Sequence, residues 1–184
     1  MRIRGKVLDR PNQATATIVR AAPGTDGETD AERFDVLLTA LPMGWLRLLR
    51  SRGLSDWPQP KKEYVKDDEG RPLFNKDGTA VTQDKMDDPK YQHSLMKVGR
   101  RQRAVTLAEH LRCDENVVFD AKPPQGDGAD DETKKAWIAY AEALAAEIEG
   151  SGLTDEEVQS LLDIGQKLGS RIDVEDRLKD FLSM

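Results

Sequence analysis

The sequence predicts an α+β fold: a small N-terminal antiparallel β-sheet followed by a mainly helical body and a C-terminal helical bundle segment. Three observations carry this reading. Short runs with alternating or β-branched apolar residues are concentrated in the first 39 positions. From Asp88 onward, acidic caps, 3.6-period apolar stripes and glycine breaks follow one another. No apolar run approaches the roughly 20 residues needed to span a bilayer.

Met1 to Leu8, Ala14 to Val19 and Phe34 to Leu38 read as three strands, with a turn at Asp9–Gln13 and a polar loop beginning at Pro23. A helix is expected over Pro42–Arg52, with Pro42 at the first helical position, where its missing N–H costs nothing, and Gly53 as the stop. Trp45, Leu48 and Leu49 share one face, and Arg47, Arg50 and Arg52 lie mostly off it. Lys61–Asp88 has turn signals at Asp68-Glu-Gly and Asn75-Lys-Asp-Gly. It reads as an exposed hairpin or partly disordered loop with too little apolar content for its own core. No internal repeat is evident.

Asp88 caps a helix that begins with Pro89 and runs to about Arg112. Asn116-Val-Val-Phe follows as a short extended piece. Lys122–Asp130, with two Pro and two Gly, reads as a linker. Trp137, Tyr140, Ala141, Leu144 and Ile148 then form the clearest helical stripe in the chain. Gly150-Ser-Gly breaks that helix, and Thr154-Asp-Glu-Glu157 forms a capping box for the next. Val158, Leu161, Leu162, Gly165 and Leu168 form its inner face, with Gly169 as its end. Val174, Leu178, Phe181 and Leu182 add a last amphipathic stretch. The expected organisation is therefore a body over 1–121 with an insertion at 61–88, a linker over 122–130, and a separable helical segment over 131–184.

Net charge is −6, unevenly placed. Pro89–Arg112 carries six Lys/Arg against one acid, net +5, whereas Gly126–Met184 carries fifteen acids against six bases, net −9. That asymmetry indicates contact between the two segments, different partners for each, or two independently solvated faces. The basic cluster Lys97, Arg100, Arg101 and Arg103 lacks interleaved aromatics, and a pI of about 5.1 speaks against a large nucleic-acid footprint. A solvated face, or a docking face for an acidic partner, is the reading it supports.

Catalytic signals are absent. His93 and His110 stand too far apart to share an ion and read as surface or boundary residues. Cys113 has no companion cysteine for zinc and reads as an ordinary buried or half-buried thiol. Asn75-Lys-Asp-Gly-Thr resembles the middle of a calcium loop, but Leu73 and Asp84 stand where ligands are required. No phosphate-binding glycine loop or nucleophile elbow appears. With packing stripes and no reactive constellation, the chain reads as a non-enzymatic binding or assembly protein without cofactor or metal. Few aromatics are present, so the three Trp residues are expected to anchor the core.

The run Trp137-x-x-Tyr140…Leu144…Ile148-x-Gly-Ser-Gly-Leu-Thr154-Asp-Glu-Glu-Val158…Leu161-Leu162…Ile164…Leu168…Val174…Phe181 resembles the C-terminal half of tail assembly chaperones from long-tailed bacteriophages. The Asp87-Asp-Pro…Tyr91 helix start and Ala40-Leu-Pro-Met are compatible with that family; Lys61–Asp84 falls outside the likeness. The resemblance implies a protein of the host cell cytoplasm that coats the tape measure protein, keeps it soluble and helps recruit tail tube protein. Candidate contacts are Trp137, Tyr140, Leu144, Ile148, Leu161, Leu162, Phe181 and Leu182. Core burial is the stronger expectation for Trp137 and Leu144, and exposure for Phe181 and Leu182. Two rivals are a structural virion protein of the neck, connector or tail-completion type and a small interaction adaptor.

Overall fold

A computed structural model describes residues 2–3, 6–7, 12–23 and 29–170. The elements are β1 (Arg2–Ile3), β2 (Lys6–Val7), β3 (Gln13–Pro23), β4 (Thr29–Thr39), α1 (Trp45–Ser51), β5 (Lys61–Tyr64), β6 (Thr82–Lys85), α2 (Pro89–Leu111), α3 (Asp131–Gly150) and α4 (Asp155–Ser170). The α+β class is as expected. The strands, however, form three separate two-stranded antiparallel ribbons, β1–β2, β3–β4 and β5–β6, rather than one N-terminal sheet.

Alternation decides how β3–β4 is used. Ala14, Ala16 and Ile18 pair with Leu38, Val36 and Phe34, so one ribbon face is continuously apolar. Leu38 is fully buried and Ala16 nearly so, packed on α2 and α4. The carboxylate of Asp114, just beyond α2, accepts the Leu37 N–H at 2.6 Å. Asn12 Nδ2 donates to the Leu168 carbonyl at 3.3 Å, tying α4 to the ribbon's base.

α1 is shorter than expected. Pro42 precedes it by a turn, and Gly44, at φ +85°, stands at the N-cap. Its C-terminus has a Schellman geometry: Gly53 N–H donates to Arg50 O and Leu54 N–H to Leu49 O, at 3.0 and 2.9 Å. Gly53 takes the left-handed φ of +69° that this requires, and Leu54 is buried beneath it.

Residues 61–85 form an ordered arm with a repeat that the sequence reading passed over. Val65-Lys-Asp-Asp-Glu-Gly-Arg-Pro72 and Leu73-Phe-Asn-Lys-Asp-Gly-Thr-Ala80 are two eight-residue units with the same turn. Gly70 and Gly78 have φ of +82° and +83°. Each donates its N–H three residues back, to Asp67 O and Asn75 O, at 2.9 and 3.0 Å. Val65, Leu73 and Val81, eight apart, close a ring of backbone bonds. Val65 N–H donates to Val81 O, Val81 N–H to Leu73 O and Leu73 N–H to Val65 O, at 2.8–3.0 Å. The Asp67 carboxylate accepts from the Arg71 and Glu69 amides, and the Arg71 amide chiefly holds its pKa below the usual range. No residue from Ser55 to Lys97 is buried. Trp57 therefore stays half in solvent, while Trp45 and Trp137 anchor the core.

The helix caps are realised. Asp88 accepts from Lys90 N–H at 2.8 Å and Asp130 from Thr133 N–H at 2.8 Å. Thr154 and Glu157 exchange both capping-box bonds, at 2.7 and 3.2 Å. α4 runs through Gly169 to Ser170 instead of stopping there.

Division into a 1–121 body, a 122–130 linker and a separate helical segment does not hold for the described residues. One apolar core contains Leu38, Trp45, Leu49, Leu107, Leu144 and Leu161, and so spans the ribbon and all four helices. The proposed linker is built into it. Gly126 O accepts the Trp137 indole N–H at 2.9 Å. Gly128, at φ +79°, lies so close to α1 that an added Cβ would sit 2.8 Å from Arg52 Cα.

Candidate functional site

α2 and α3 pack side by side beneath the segment Val117–Phe119, which lines a cavity on each of its two flanks. The segment is held at its ends. Asp114 Oδ1 accepts from Asn116 N–H at 2.9 Å, and the Glu147 carboxylate of α3 accepts from Asp120 and Ala121 N–H at 2.7 and 3.0 Å. Between those ends Val118 is 76% exposed.

On one flank a groove of about 530 Å³ opens between the ribbon, α2 and the α3–α4 turn. Ile18, Phe34 and Val36 supply its ribbon wall, Leu107 and Leu111 its α2 wall, and Ile148 and Leu161 its floor. Phe34 is 42% exposed. The lining is mostly apolar and of a size suited to side chains of a docked segment.

On the other flank a cavity of about 440 Å³ lies between α1, α2 and α3. Arg52, the C-cap residue of α1, holds its guanidinium 3.8 Å from the Trp137 ring centroid. Tyr140 meets Trp137 edge-on, with centroids 5.5 Å apart. Burial pushes the Tyr140 phenol up, Glu109 adds to the rise, and Arg52 opposes it.

The basic cluster of α2 faces the chain's own acids. Arg100 forks onto Glu149 at 2.6 and 2.8 Å and also reaches Glu142 at 2.8 Å. Arg101 donates to Glu142 at 2.6 Å, and Arg103 lies 3.6 Å from Asp155. The Arg100 bonds hold the Glu149 carboxyl below its ordinary pKa. Arg100, Arg101 and Arg103 thus spend part of the uneven charge against acidic residues of α3 and α4.

His110 is fully buried, a correction to the surface or boundary reading. Its Nδ1 lies 2.7 Å from Thr39 O, linking α2 to the end of β4. Gly165 of α4 covers the ring so closely that a Cβ there would fall 2.5–2.6 Å from ring atoms. His93 is exposed and Cys113 half-buried.

Most of the predicted contact residues face inward. Trp137, Leu144, Ile148 and Leu161 are buried in the common core, and Tyr140 and Leu162 are half-buried against it. Trp137 and Tyr140 nevertheless line the Arg52 cavity, while Ile148 and Leu161 floor the groove. Phe181 and Leu182 lie outside the described residues. Sequence reasoning missed Phe34, the Val117–Phe119 segment and Arg52 as site residues. Phe34's place in an alternating strand was the available signal, while nothing local marks Arg52. Among the described residues no set of three or more His, Cys, Asp or Glu is placed to hold a metal ion, and no helix is long and apolar enough to cross a membrane. Comparison with family models, curated proteins and solved structures finds no match to the chain.

Proposed function

We propose that this chain is a non-enzymatic phage tail assembly chaperone that binds the tape measure protein and supports assembly of the tail tube. The observation that carries the structural side is the open apolar groove walled by Ile18, Phe34 and Val36 and floored by Ile148 and Leu161. An amphipathic helix docks by laying alternate-turn apolar residues into such a groove, and a long helical protein offers many such segments. The C-terminal pattern of stripe, break and capping box supplies the family side of the reading.

The test is co-expression with a tape measure fragment, followed by size exclusion. Co-elution is expected for the natural chain and its loss for Phe34→Asp, which places a charge in the groove at a partly exposed position without opening the core. A fragment that stays insoluble, with no complex eluting, removes the chaperone reading. Stoichiometric recovery of the chain from purified virions would instead favour a structural neck, connector or tail-completion protein. The projecting 61–85 arm, with Tyr64 58% and Phe74 63% exposed, is the feature that suits such a subunit.

A further inference from the structure

We propose that the cavity between α1, α2 and α3 is a carboxylate-binding site, in which Arg52 receives an acidic group carried beside an apolar side chain. Arg52 is the cation of this cavity with a buried, unsatisfied donor. Its side chain is only 15% exposed, and its Nε is buried without a hydrogen-bond partner. Its ion pair with Asp127, which is 82% exposed, is long, at 3.9 Å. A guanidinium offers five N–H donors in a planar fork, and donors withdrawn from water without acceptors are costly. A carboxylate entering the cavity would meet the accessible Nη groups of the guanidinium, in the bidentate geometry that Arg favours.

The neighbouring charges narrow the ligand. Arg112 is paired with Glu109 at 2.8 Å, and Lys122 donates to Phe119 O at 2.6 Å. One incompletely satisfied guanidinium, with Asp127 3.9 Å away and Glu109 lining the same cavity, matches a single negative charge better than a dianion. The remaining walls, Trp45, Val105, Ala108 and Phe119, are apolar and accommodate a hydrophobic flank. Trp137 fixes the fork from below, its own indole N–H held by Gly126 O at 2.9 Å. Such a site serves any partner presenting an acid next to an apolar residue, and so does not depend on the tail-assembly reading.

The full chain would be titrated with N-acetyl-L-phenylalanine, with its amide, and with inorganic phosphate, following the Trp137 indole N–H and the Arg52 Nε–H by NMR. Saturable shifts are expected for the acid, with a Kd on the order of 1 mM for a ligand of about fifteen non-hydrogen atoms. The amide should bind at least about tenfold more weakly, and Arg52→Met should erase that difference. If Arg52→Met does not fold, the acid–amide comparison on the natural chain decides alone. Equal binding of acid and amide, or no saturable shift with the acid up to about 20 mM (roughly twentyfold the expected Kd), overturns the proposal. Phosphate binding as tightly as the acid also overturns it, because the site would then be a general anion site.

Discussion

The ribbons β3–β4 and β5–β6 are both antiparallel hairpins, yet they are stabilised by different means. β3–β4 presents Ala14, Ala16 and Ile18 opposite Leu38, Val36 and Phe34, and α2 and α4 cover that face. β5–β6 carries Lys61, Lys62, Glu63 and Tyr64 against Lys85, Asp84, Gln83 and Thr82, a ladder with no apolar face. Its order comes from turn chemistry: left-handed glycines, Asp67 and Asp77 accepting local N–H groups, and the ring joining Val65, Leu73 and Val81. Burial couples the first hairpin to the whole molecule, whereas local hydrogen bonds leave the second a self-contained arm. An isolated two-stranded hairpin is marginal in water, and the third segment through Leu73 is what takes this arm beyond that limit.

Substitutions should separate the two cleanly. Leu38→Ala removes a fully buried side chain at the ribbon–helix contact and is expected to cost about 2–5 kcal/mol, read as a lower urea midpoint for the entire chain. Gly165→Ala forces a methyl into the His110 ring and should cost about 1–3 kcal/mol. Adding His110→Ala should recover part of that loss, and strict additivity in the double mutant would disprove the proposed contact.

In the arm, Gly78→Ala places a Cβ at φ +83° in open space, so the penalty is conformational, about 1–2 kcal/mol. It should appear as faster hydrogen exchange at Val65, Leu73 and Val81, while the global midpoint stays put. A fall in that midpoint matching the Leu38→Ala effect would show that the arm is coupled to the core after all.

The smallest expected effect is electrostatic. Hydrogen bonding from Arg100 lowers the Glu149 pKa below its ordinary 4.5. Its stabilisation is therefore complete above the unfolded value and lost as pH falls through the folded one. With Arg100 37% and Glu149 60% exposed, solvent screening limits the pair to under about 1 kcal/mol. Arg100→Met should flatten the part of the stability profile that falls away as pH drops below Glu149's ordinary 4.5, and an unchanged profile would show the pair to be idle.

Much of this architecture was legible in the sequence. Asp88, Asp130 and Thr154 announce helix starts because each cap is satisfied within three residues by bonds it makes itself. The alternation at 34, 36 and 38 marked a strand with one inner face. Harder features were those whose meaning is not local. The eight-residue repeat went unseen because its two units share a turn geometry but only one identical residue, Gly70 with Gly78, while Val65 with Leu73 and Asp67 with Asn75 are merely similar. His110 resembles a boundary residue until Thr39 and Gly165 close over it. Arg52 looks like any solvated arginine on a short helix, and becomes distinctive only because Trp137, 85 positions later, lies beneath it.

Sequence alone determined where the three long helices begin, which faces are apolar and that the chain's charge is split between two segments. Those properties follow from side chains acting on backbone groups a few residues away. Tertiary structure decided that the basic and acidic segments meet each other, that Lys122–Asp130 is packed rather than free, and that stripes read as contact surfaces became core. It also left two cavities beside Val117–Phe119. Burial and cavity shape arise from residues distant in the chain converging at one place, and no local pattern encodes that convergence.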